Sequence, residues 1–190
     1  MRSLLHAWPV LCRFVAVLLL GTLLSCGSSG GPPPALTPGE ILSGLGAEGR
    51  AGLSPEQLDA YAATFGFLDT DADGVVTLEE YEENSIFRDP AAVRGVFAAT
   101  DRDGDGGVTV AEYVENRIIT DEAKTIFGRL DEDGDGGLTL PEFEAGTPFT
   151  SVQAADVFAR FDTSADGVIG QTELLRVWGN WARLPEVDLG

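Results

Sequence analysis

Asp69, Asp71, Asp73 and Glu80 occupy the first, third, fifth and twelfth positions of the segment DTDADGVVTLEE, residues 69–80. Asp101, Asp103, Asp105 and Glu112 repeat that spacing in DRDGDGGVTVAE (101–112), and Asp131, Asp133, Asp135 and Glu142 in DEDGDGGLTLPE (131–142). A fourth copy, DTSADGVIGQTE (162–173), keeps Asp162, Asp166 and Glu173 but carries Ser164 at its third position. Oxygen donors that recur this way can converge on one point, and a hard divalent cation is what such a point holds. Past residue 26 there is neither cysteine nor histidine, so no soft donor is available for zinc or copper. The same lack removes thiol nucleophiles and histidine bases, which argues against an enzyme.

The starts of the four segments lie 32, 30 and 31 residues apart. Each is preceded four residues earlier by a phenylalanine (Phe65, Phe97, Phe127, Phe158) and followed at once by Tyr81, Tyr113, Phe143 or Leu174. The repeat therefore includes flanks as well as an acidic centre, and the flanks read as helices. Ser54-Pro55-Glu56-Gln57 carries an N-cap, a proline at the first helical position and a reciprocal Gln; that helix runs to about Leu68, with Leu58, Tyr61, Ala62, Phe65 and Leu68 on one stripe. Asp89-Pro90 starts a second entering helix, Thr120 or Asp121 a third, and Thr150 with Gln153 a fourth after the Gly146-Thr147-Pro148 break. Thr77, Thr109 and Thr139, at the ninth loop position, can cap the exiting helices.

These loops resemble the EF-hand pattern, in which an Asp-rich turn of twelve residues joins two helices around Ca²⁺. The resemblance implies an all-α fold of four helix–loop–helix units, paired as two lobes through short antiparallel bridges between loops. It assigns side-chain oxygens to the first, third and fifth residues and a two-oxygen carboxylate to the twelfth. The backbone carbonyl of the seventh, Val75, Gly107, Gly137 or Val168, completes the set. Glycine at the sixth (Gly74, Gly106, Gly136, Gly167) suits a sharp turn at positive φ. Apolar Val76, Val108, Leu138 and Ile169 would bridge loops 1–2 and 3–4, although the short intervals leave a pairing of loops 2 and 3 open. The expected cofactor is Ca²⁺ at three strong sites and a weaker fourth, because Ser164 and Gly170 offer fewer donors. Calcium β-rolls need nine-residue glycine-rich repeats, and dockerin modules usually close the loop with Asp, so both match less well.

The formal net charge is −19, which argues against nucleic acid and suits cations or basic partners. Removing the first 25 residues takes away Arg2 and Arg13 but no acid. That amino-terminal stretch is basic and then apolar, with the eleven-residue run FVAVLLLGTLL from Phe14 to Leu24. A spanning helix needs about 20 residues, so the run reads as an export signal covering 1–25. Leu23-Leu24-Ser25-Cys26 resembles the lipobox of bacterial lipoproteins, which implies a lipidated Cys26. An ordinary cleaved signal with a soluble product is the competing reading. Residues 26–53, rich in Gly, Ser and Pro, read as the lipidated cysteine and a flexible tether of roughly 25–30 Å reach, with a short helical turn at Glu40–Leu45. Loop pairs 1–2 and 3–4 are expected over 54–119 and 120–184, with a tail at 185–190.

The functional expectation is a calcium-binding, exported lipoprotein of a bacterial cell envelope, acting as a buffer or a calcium-stabilised surface module. The outer membrane and the cell surface both remain open as its place. The alternative is a sensor that opens an apolar groove for an unidentified protein partner. Calmodulin-like sensors use methionine-rich grooves, and the one methionine here is Met1. Trp178 and Trp181 on the last helix are expected to serve the core of the second lobe. Replacing Cys26 by Ser should abolish incorporation of radiolabelled palmitate in a bacterial host; a label that persists would rule out lipidation at that thiol.

Overall fold

In a computed structural model of the chain, the described residues are 35–187. The export signal and Cys26 lie outside them. The described residues form one compact unit. Its elements are α1 (Pro38–Gly44), a 3-10 turn (Gly49–Gly52), α2 (Pro55–Leu68), β1 (Val75–Thr77), α3 (Leu78–Asn84), α4 (Pro90–Thr100), β2 (Gly107–Thr109), α5 (Val110–Leu130), β3 (Gly137–Thr139), α6 (Leu140–Gly146), α7 (Ser151–Phe161), β4 (Val168–Gly170) and α8 (Gln171–Ala182). Among the described residues no helix is long and apolar enough to cross a membrane.

Local chemistry sets the helix starts. Ser54 Oγ accepts from Gln57 N while Gln57 Oε1 accepts from Ser54 N, and Thr150 and Gln153 do the same for α7. Asp89 Oδ1 accepts from Ala91 N, with Pro90 in the first turn of α4. The three-residue strands pair in two antiparallel ribbons, β1 with β2 and β3 with β4. Val76 faces Val108 in the first, and Leu138 faces Ile169 in the second. The fold is thus all-α, four helix–loop–helix units in two lobes, with loops 1–2 and 3–4 bridged.

The lobes differ in size. The first closes on a small core of Phe65, Val76, Tyr81, Val93, Phe97, Val108 and Tyr113. Two edge-to-face aromatic pairs, Phe65–Tyr113 and Tyr81–Phe97, link its helices at 5.8 and 5.9 Å between ring centroids. Of the stripe expected on α2, Phe65 is buried, Leu58, Tyr61 and Leu68 are half-buried, and Ala62 is exposed. The second core is larger, with Phe143, Phe161 and Trp178 fully buried, and Trp181 packs at its margin with its ring 5.0 Å from that of Phe161.

Two expectations require correction. Thr120 and Asp121 do not start a third entering helix, because α5 runs without a break from loop 2 to loop 3. Thr120 Oγ1 donates back to Asn116 O, and Asp121 Oδ2 takes Arg117 Nη2 at 2.8 Å within the same helix. The other intervals contain Pro90 and Pro148, whereas this one contains no proline. A boundary at 119/120 therefore falls mid-helix. The tether, expected to reach residue 53, also ends sooner: Ile41 and Leu42 of α1 and Leu45 just past it are fully buried in the second core. Burial of three large aliphatic side chains supplies the driving force that composition alone had hidden.

The shared helix joins the lobes through polar contacts too. Thr100 and Asn116 are the buried polar side chains among the described residues, and they bond each other at 2.9 Å. Asn116 Oδ1 accepts from Arg183 Nη2 at 2.6 Å, tying the end of α8 to the middle of α5.

Within each ribbon the two seventh loop residues are matched by volume. A Cβ on Gly107 would lie 2.4 Å from Val75 Cγ1, and one on Gly137 would lie 2.5 Å from Val168 Cγ1. Valine of one loop fills the room glycine leaves in the other. Gly107→Ala should therefore destabilise the first lobe by about 1–3 kcal/mol in denaturant unfolding. Adding Val75→Ala should recover most of that loss, and a double-mutant cycle without coupling would refute the matching.

Candidate metal centre

Each loop is an acidic turn folded around its own backbone amides. The first aspartate is the hub: Asp69 accepts from Asp73 N and Gly74 N, at 3.1 and 3.0 Å. Asp101 takes Gly104 N and Gly106 N, Asp131 takes Gly134 N and Gly136 N, and Asp162 takes Asp166 N and Gly167 N. The third residue bonds the amide of the fifth in loops 1 to 3, through Asp71, Asp103 and Asp133. Asp73, Asp105, Asp135 and Asp166 each bond the amide of the seventh residue, at 2.8–3.0 Å. Val75, Gly107, Gly137 and Val168 thereby begin their strands with their amides engaged.

The twelfth residue closes the ring. Glu80 Oε2 accepts from Thr77 N and Oγ1, both at 2.9 Å, while Oε1 reaches back to Thr70 N at 2.9 Å. Glu112 spans Thr109 and Arg102 in the same way, and Glu142 spans Thr139 and Glu132. In loop 4, Gly170 offers only its amide; Glu173 takes that amide at 2.9 Å, with Ser164 N at 2.8 Å on its other oxygen. The same glutamate is the third residue of the exiting helix and completes its capping box in the first two loops. Hydrogen bonds donated to these carboxylates lower their pKa values. The backbone and hydroxyl of Thr77 bring the Glu80 carboxyl down to about 2. The Gly170 amide does the same for Glu173, also to about 2. Glu142 is lowered chiefly by the Thr139 hydroxyl. At Glu112, burial opposes and is overcome by bonds from Thr109. These carboxyls stay ionised, as metal ligands must.

The acids gather in three places. Asp69, Asp71 and Asp73 bring one oxygen each within 4.8 Å of one another, as do Asp101, Asp103 and Glu112, and Asp131, Asp133 and Glu142. In loop 1 the triad omits Glu80, and in loops 2 and 3 it omits Asp105 and Asp135. Among the described residues the carboxylates of loop 4 do not converge to that degree. The donors are all oxygen, anionic and surface-accessible, carried on loops already curved to face inward. That set fits Ca²⁺, a hard cation that accepts many oxygens in a flexible shell. Asp69, Asp71, Asp73 and Glu80, with their counterparts in the other loops and the carbonyls of Val75, Gly107, Gly137 and Val168, are the groups that would hold it.

A second backbone requirement emerged in the structure. The sixth residues have φ between +89 and +92°, as the glycines there imply. The fourth residues are left-handed too: Gly104 at +73°, Gly134 at +71°, Ala72 at +61° and Ala165 at +59°. The glycines in loops 2 and 3 were a visible signal for this, and the alanines in loops 1 and 4 masked it. A left-handed alanine costs about 1 kcal/mol. Ala72→Gly and Ala165→Gly should each raise stability by about 0.5 kcal/mol, read as a rise in Tm of about 1–2 °C. A fall in Tm in both variants would contradict a strained fourth position.

Three stretches of the chain, residues 62–83, 123–146 and 154–178, match the EF hand family model. They contain loops 1, 3 and 4; loop 2 lies outside them but has the same hydrogen-bond pattern and one of the three acidic triads. No curated protein matches the chain. The family-model matches, together with the acidic triads, support an EF-hand family and indicate calcium binding.

Proposed function

We propose that this chain is a calcium-binding lipoprotein of a bacterial cell envelope, exported by residues 1–25 and anchored by a lipid on Cys26. Three tight sites and a weaker fourth make it a calcium-stabilised module or buffer. The observation that carries the calcium-binding reading is the convergence of the acidic triads in loops 1, 2 and 3. Like charges so close repel, and a divalent cation removes that cost. The ranking of loop 4 rests on the neutral Ser164, on Gly170 without a side chain, and on its less convergent carboxylates.

The module reading is favoured over the sensor by the second lobe. Its apolar interior is closed over Phe143, Phe161 and Trp178, with α1 already seated there. No methionine follows Met1 to line an adaptable groove.

Titration calorimetry of residues 34–190 should resolve three tight sites and one weaker. At free calcium 100-fold above a site's Kd, each independent site adds about 2.7 kcal/mol. Chelation should lower Tm by about 10 °C or more. A melting curve indifferent to chelator would sink the reading, and four equal sites would overturn the ranking of loop 4.

A further inference from the structure

The α1 segment is held on the second lobe by its backbone as well as its side chains. Arg129 Nη2 donates to Leu45 O at 2.7 Å, beyond the carboxyl end of α1, and Arg160 Nη1 donates to Leu36 O at 2.8 Å, before its amino end. Past the helix, Glu122 Oε1 accepts from Glu48 N at 2.6 Å and Gly49 N at 2.9 Å. Between these grips Ile41, Leu42 and Leu45 are fully buried. The fit is close: a Cβ on Gly44 would stand 2.7 Å from Phe149 Cε1.

The two arginines occupy one and the same position of the repeat. Arg129 lies two residues before Asp131, and Arg160 two residues before Asp162. In the first lobe that position holds Phe67 and Ala99, both exposed and neither able to donate a side-chain hydrogen bond. The arginines thus sit at the last turns of α5 and α7, where the chain enters loops 3 and 4. The third wall of the seat is α8, the helix that leaves loop 4 and carries Glu173. A cation drawing Glu173 toward Asp162 would set the angle between α7 and α8, and one drawing Glu142 toward Asp131 would set the angle between α5 and α6, the helix packed on α7.

We propose that the face formed by α5, α7 and α8 is a binding site for residues 36–49 of the same chain, and that calcium in loops 3 and 4 holds this segment in place. It is an internal ligand clasped by Arg129 and Arg160. While it is seated, the second lobe offers no face to an external helix; when loops 3 and 4 empty, the segment leaves. The inference rests on the calcium-binding reading above.

Hydrogen exchange followed by mass spectrometry on residues 34–190 tests it. The amides of Ile41, Leu45 and Ala47, bonded to Thr37 O, Ile41 O and Leu42 O, report α1. With calcium they should be protected. In Glu142→Gln/Glu173→Gln they should exchange at least tenfold faster, while the β1–β2 amides of the first lobe keep their protection. In Glu80→Gln/Glu112→Gln they should stay protected. Arg129→Met/Arg160→Met should speed α1 exchange at least tenfold with calcium stoichiometry unchanged; if that pair does not fold, the glutamate pairs decide. Equal α1 protection in all variants, or equal loss from either lobe's glutamate pair, would overturn the proposal. Calcium titration of the same samples separates the two readings. Bound calcium with an unresponsive α1 sinks the clasp alone, and absence of binding sinks both.

Discussion

The carboxylate at the twelfth loop position is the constraint on which the rest of this structure depends. One glutamate closes the loop onto its second or third residue, receives the ninth residue's amide, and stands in the first turn of the exiting helix. Loop curvature and helix start are therefore one event. A cation on both oxygens would share their lone pairs with those amides, which couples the filling of a loop to the capping of the exiting helix. This coupling links a site of a few ångströms to helices many times longer.

Helix geometry then carries that effect outward by different routes in the two lobes. In the first, the consequence stays within a small aromatic core. In the second, entering and exiting helices also frame α1, and the continuous α5 places Ile119, Ala123 and Ile126 in the same core. The Thr100–Asn116–Arg183 bonds fix the lobes to each other where proline-broken linkers would have let them turn. The result is one compact unit in which the loops share walls.

Much of this was legible from residue types. Periodic Asp and Glu, glycine at the sixth position and apolar residues at the eighth located the loops and their pairing partners, because short-range geometry demands those types. Ser54, Asp89 and Thr150 marked helix starts for the same reason. Thr120 misled because a hydroxyl before an acid is a cap only if the preceding residue has left the helix. Here the preceding residues are buried Ile118 and Ile119, which keep α5 helical. The helical turn expected at Glu40–Leu45 is there as α1, but the glycines and prolines around it hid that Ile41, Leu42 and Leu45 pack into the second core.

By itself, then, the order of residues determined the four oxygen-lined turns, their helical flanks and the hard-cation chemistry, since each is settled within about a dozen neighbouring residues. Only the tertiary structure decided that α5 is unbroken, that Val75 and Val168 require Gly107 and Gly137 across the ribbon, and that α1 is packed on the second lobe. Those outcomes depend on contacts between residues about 30 to more than 100 positions apart, as from Leu36 to Arg160. Volume and unpaired carbonyls must be matched there in space, and no local pattern records the match.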